Sequence, residues 1–161
     1  MSRYADQAAL THHMGQPYVQ KLLEWTQSGT LANAPEVSAL DQLEGFEFAR
    51  SEVSTHPDPL LVFTELEYKP GGAETILPYW RAVFEKTQND EPGALLWQLA
   101  KNTNNPDKLF VLHVYESRDY LMTVHASSKE LKECQSFGEN IQTGMKLRFL
   151  KIQGGFLYKS E

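Results

Sequence analysis

"KLFVLHVYESRDYLMTVHASSKELKECQSF", Lys108–Phe137, changes its hydrophobic period in the middle. Up to Tyr115 it is rich in apolar and β-branched residues and reads as a strand. Val111, His113 and Tyr115 share one face of it, because alternate strand residues point the same way. Ser117 is a suitable helix N-cap, and beyond it the spacing becomes helical to about Phe137. On a regular helix the inward stripe is Tyr120, Leu121, Val124, Ser128 and Leu131, with His125 about a quarter turn off its centre.

Working outward, "GALLWQLAKN" from Gly93 is a second strand, which carries Trp97 inward with Leu95 and Leu99. The Asn, Pro and Asp of "TNNPD" join it to Lys108 as an antiparallel hairpin. Earlier still, "LLVFTELEYKPG" (Leu60–Gly71) is a strand with Val62, Thr64, Leu66 and Tyr68 on one face, ending at a Pro-Gly breaker. Between Gly72 and Asn89, Ile76, Trp80, Val83, Phe84 and Thr87 recur at helical spacing, opposite Arg81, Glu85 and Gln88. Pro78 falls near the first turn and need not break this helix. The closing strand "KLRFLKIQGGFLYK" carries Gly154-Gly155, the mark of a bulge. The order β-α-β-β-α-β predicts an α+β, ferredoxin-like split βαβ domain: a four-stranded antiparallel sheet with helices on one face. Its uncovered face calls for a partner, most simply a second copy in a homodimer.

The first fifty residues resemble the end of the chain. Glu36–Glu52 aligns with Lys146–Glu161, placing Gly45-Phe46 over Gly155-Phe156; Tyr4 and Leu10 then fall over Tyr115 and Leu121. Residues 4–50 read as a helix-plus-strand half-repeat without a sheet of its own. The expected division is therefore 1–57, a partial unit, and 58–161, a complete one.

At 161 residues the chain fits one domain with an appendage. A net charge of −6 with no basic run gives no footprint for phosphate backbones, so nucleic acid is not an expected partner. Apolar runs such as Leu60–Phe63 are far short of the roughly 20 residues of a spanning helix. With no signal-like N-terminus, the expected location is cytoplasmic and away from membranes. Cys134 is the single cysteine and lacks cationic neighbours that would activate it.

"FTELEYKPGG", "PGALLWQLAKN" and above all "LFVLHVYESRDYLMTVHASSKEL" resemble the antibiotic biosynthesis monooxygenase family of the dimeric α+β barrel superfamily. The resemblance covers about residues 58–159 completely and 4–50 as a half. It implies two sheets packed face to face in a barrel, with a pocket between each sheet and its helices. Family chemistry includes cofactor-free oxygenation of aromatic polyketides and quinols, haem degradation, and isomerase- or lyase-type reactions; some members have no demonstrated reaction. The haem-degrading branch fits poorly, since Tyr115 stands where those proteins carry Trp and Thr64 where they carry Asn. The family's histidine, nine residues after the aromatic, is replaced by Val124 in the second half, whereas His13 fills that register in the first.

The candidate catalytic residues are His113, His125 and Tyr115. Between apolar neighbours His113 is expected to stay neutral and to serve as a base or acceptor; a core histidine satisfied by a backbone partner is the competing reading. Trp80, Trp97, Tyr79, Phe84, Thr64 and His13 are candidate substrate contacts, of which the tryptophans would wall a planar ligand. Plain core packing explains Trp80 and Trp97 equally well. No metal site is expected: His12 and His13 diverge by about 100° on a helix, and no ligand spacing is present. No cofactor motif is found. The expected function is a cofactor-free monooxygenase acting on an anthrone- or quinol-like aromatic in secondary metabolism. The alternatives are a cofactor-free cyclase, isomerase or decarboxylase, and a non-catalytic ligand-binding or oligomerisation module.

Overall fold

The structure, a computed structural model, describes residues 4–33 and 37–151. They fall into two compact units, Met1–Val37 and Ser38–Glu161. In the first, α1 (Gln7–Met14) starts at Asp6, whose carboxylate accepts from Ala9 N at 2.8 Å. The stretch read as one amphipathic helix is two. Gly15 closes α1, and Pro17, which has no N–H to give to a continuing helix, sits at the start of α2 (Pro17–Gln27). Val19 is buried, while Tyr18, Leu22 and Trp25 are exposed.

The second unit is a single antiparallel sheet ordered β1-β3-β4-β2-β5. The strands are β1 (Leu40–Ala49), β2 (Leu60–Tyr68), β3 (Ala94–Asn102), β4 (Lys108–Tyr115) and β5 (Gln142–Lys151). Strands β2 to β5 make the ferredoxin-like sheet the sequence predicts, and β1 extends it alongside β3. Asn102 shapes the β3–β4 turn by accepting from Asn104 N and Asn105 N, both at 2.9 Å. The Gly154-Gly155 bulge lies outside the described residues. A comparable bulge interrupts β1 between Gln42 and Glu47, where Gly45 takes a φ of 71°.

Helix α3 (Gly72–Asp90) lays Ile76, Trp80, Val83, Phe84 and Thr87 on the sheet, as its periodicity predicts. Pro78 lies inside α3, past the first turn, with its ring toward solvent. Phe46, Leu66, Trp97, Leu99, Leu109 and Val111 complete the main core. Leu95 departs from expectation: a register shift between Ala94 and Leu96 turns it into a second cluster with Val53, Leu96 and Val114.

The stretch read as one helix from Ser117 is three pieces. Ser117 Oγ caps α4 (Arg118–Tyr120) by accepting from Tyr120 N at 3.0 Å. A π-helical turn, Leu121–His125, follows, with Ala126 N bonded to Leu121 O at 2.8 Å, five residues back. Ser128 then caps α5 (Lys129–Gly138). The extra residue in the π turn shifts the helical phase. His125, expected at the edge of the stripe, is 2% exposed, and Val124, expected inward, is 38% exposed.

No helix among the described residues is long and apolar enough to cross a membrane. Strand β1 is anchored by Phe46, which packs on Phe84 and Trp97 beneath the Arg81 guanidinium, 3.6 Å from its ring centroid. Phe46→Ala is expected to destabilise the protein by about 3 kcal/mol in urea unfolding, the cost of an emptied aromatic core site.

Candidate active site

His113 lies on β4, the strand between β3 and β2, with Trp97 and Val62 as its cross-strand partners. Its ring faces the helices with Tyr115, and Tyr115 Oη lies 2.9 Å from His113 Nδ1. Burial, reinforced by Glu91, pushes the Tyr115 phenol well above its ordinary value, so it keeps its proton and donates it to this bond. Burial, with His125 beside it, pushes the His113 imidazole well below its ordinary value. His113 is thus neutral, accepts at Nδ1, and carries its own proton on Nε2.

The π turn brings His125 over this pair, with ring centroids 5.8 Å from His113 and 5.2 Å from Tyr115. Glu91, the residue that ends α3, places Oε2 2.8 Å from His125 Nδ1. Thr87 Oγ1, one helical turn earlier, lies 3.4 Å from the same nitrogen while donating to Val83 O. Nδ1–H therefore donates to the carboxylate, which leaves Nε2 as the basic nitrogen. All five groups are nearly sealed: Glu91 1%, Thr87 0%, Tyr115 0%, His125 2% and His113 7% exposed. Two polar atoms in this region, Glu91 Oε1 and Trp97 Nε1, are buried without a hydrogen-bond partner.

Of the residues singled out from sequence, His113, His125, Tyr115 and Trp97 meet here, with Trp97 edge-on to His113 at 5.5 Å. Phe84 and Trp80 stand one layer back, packed on Trp97 at 5.3 and 6.2 Å, and Trp80 Nε1 is committed to Tyr68 Oη. Thr64 is buried on the same sheet face of β2, opposite Val111. Tyr79 stacks on Phe137 at 4.2 Å, within the α3–α5 seam. His13 belongs to the first unit, where it packs on Tyr4 at 5.2 Å and reaches Tyr18 Oη.

Glu91 was missed. The available signal was a carboxylate at the C-terminal end of a helix, where the macrodipole disfavours it, immediately before Pro92-Gly93. Among the described residues no three His, Cys, Asp or Glu side chains converge as a metal site requires.

Residues 59–136 match the family described as antibiotic biosynthesis monooxygenase. No curated protein matches the chain. A crystal structure from Lactobacillus acidophilus NCFM, provisionally named a monooxygenase, superposes with a TM-score of 0.69 at 15% identity. The match covers 92% of this chain and 67% of that one. A Fusobacterium nucleatum protein with the same provisional name gives 0.70 at 20% identity, covering 98% and 72%. PA3566 from Pseudomonas aeruginosa gives 0.57 at 17% identity, covering 62% of this chain and 98% of its own. At these identities the solved structures establish a shared fold. The sequence match over 59–136, which contains Glu91, His113, Tyr115 and His125, identifies an antibiotic biosynthesis monooxygenase domain within this chain's α+β unit.

Proposed function

We propose that the protein is a cofactor-free monooxygenase acting on an aromatic, anthrone- or quinol-like small molecule of secondary metabolism. The observation that carries this reading is the buried Glu91–His125 bond beside a neutral His113. A carboxylate that accepts from Nδ1–H fixes the imidazole tautomer and aims Nε2 as a general base. That base removes a proton from the substrate. The resulting carbanion bonds to O2, forming a C–O bond and a peroxide, which takes the proton back from His125. Loss of water then breaks the O–O bond and a second C–H bond, leaving a ketone. One oxygen atom enters the product, the other leaves as water, and the substrate supplies all the electrons. His113 Nε2–H is the donor available to the developing oxyanion, and Trp97 supplies an aromatic wall.

Tyr120 and Leu121, half-buried against the Tyr115 cluster, are the side chains that must move to admit substrate. Leu61, Phe63, Phe110 and Leu112 on the opposite sheet face support a homodimer. The Glu–His pair would equally serve a cyclase, isomerase or decarboxylase that moves protons without O2.

Incubation with an anthrone and with a quinol, aerobically and anaerobically, separates these readings. The expectation is turnover only with O2, lowered about 100-fold or more in His125→Ala and Glu91→Gln. Turnover unchanged without O2 would favour the cyclase or isomerase reading. Ligand binding with no measurable reaction would favour a binding module.

A neutral buried His113 also has a pH signature. The unfolded chain takes up a proton below its ordinary value while the folded chain does not, so stability falls as pH drops through about 6.5. The expected slope approaches about 1.4 kcal/mol per pH unit. Urea unfolding between about pH 7 and 5 should show the loss, flattened in His113→Asn.

A further inference from the structure

The bond between Glu91 and His125 depends on where the loop Glu91-Pro92-Gly93 is held. From α4, the Tyr120 ring presses on Gly93. A Cβ at Gly93 would stand 2.5 Å from that ring and 2.8 Å from the Glu116 carboxylate carbon, and Glu116 N bonds Gly93 O at 2.9 Å.

The second restraint comes from a residue outside the stretch that matches the family. Arg50 follows β1, and its side chain donates to three backbone carbonyls around this loop. Nε reaches Ala94 O at 2.9 Å; one terminal nitrogen reaches Gln88 O at 2.7 Å and Glu91 O at 3.4 Å. Two of these carbonyls end α3, where a cation satisfies orphan acceptors and complements the macrodipole. Arg50 N also bonds Leu95 O at 2.8 Å, and the guanidinium lies 5.1 Å from the Phe48 ring centroid. A planar fork on three fixed carbonyls is a constraint of position, which a flexible ammonium reproduces only in part.

We infer that Arg50 is a positioning residue for the Glu91–His125 pair, so that the strand preceding the family domain completes the candidate site. Its effect on turnover rests on the monooxygenase reading; its effect on the pair does not.

The experiment is proton NMR of the unliganded protein, following the downfield His125 Nδ1–H resonance, identified by its loss in His125→Phe. Arg50→Ala is expected to abolish or strongly shift it, and to lower turnover about tenfold or more, as a displaced base does. Arg50→Lys should keep the resonance with faster solvent exchange. Arg81→Ala serves as the control, because Arg81 holds β1 through Gly45 O and the Phe46 ring but does not touch the loop; its resonance should stay at the wild-type position. An unchanged resonance and exchange rate in folded Arg50→Ala would overturn the inference. If Arg50→Ala does not fold, an unchanged exchange rate in Arg50→Lys would do so. Should no oxygen-dependent reaction be found, the NMR arm still decides the question.

Discussion

A carboxylate and an imidazole that have both left water must face each other, and much of the second unit is arranged so that they do. Glu91 is almost fully buried, and among the described residues the one hydrogen-bond partner of its carboxylate is His125. Such a charge is tolerated only when its partner is held in place, since losing the partner leaves an uncompensated buried group. That requirement explains where α3 stops, why Gly93 must lack a side chain, and why the helix after β4 abandons regular geometry. His113 and Tyr115 form the floor beneath the pair. Their bond to each other pairs the phenol with His113 Nδ1, and their burial keeps each in its neutral form.

The stretches that follow Tyr4 and Tyr115 share several spacings. Gln7 and Arg118, the first helical residues, each lie three positions after a tyrosine, Tyr4 and Tyr115. Gln27 and Gly138, the last residues of α2 and α5, each lie twenty-three after it. Tyr4 and His13 meet at 5.2 Å and 48°, as do Tyr115 and His125. The remainder of the sequence comparison, Gly45-Phe46 over Gly155-Phe156, lies outside the described residues.

Fold and site were unequally legible in the sequence. Strand and helix identities were readable because each period is local: the face of β2 and the stripe of α3 follow from the spacing of apolar residues alone. His113 and Tyr115 were readable for the same reason, being two residues apart on one strand. Glu91 and Arg50 were not, because their roles depend on contacts across 34 and 41 positions of sequence. Leu95 and Val124 were misplaced by single-residue irregularities, a bulge and a π turn, which shift phase without changing composition. His125 suffered the converse error: placed at the margin by a regular helix, it is among the most deeply buried side chains of the site.

That π turn also settles an oddity of spacing. In α1, a plain helix, the histidine reaches its tyrosine from nine residues away; after β4 it needs ten, and the additional residue is absorbed as a wider loop of backbone. The turn holds that residue as a local bulge instead of spreading it along the helix that follows. Ungapped comparison of the two stretches pairs His13 with Val124, whereas the histidine that meets the tyrosine ring after β4 is the next residue, His125. Inward positions along this stretch have to be counted in turns, and a histidine that a regular helix places off the stripe faces the core because of one widened turn.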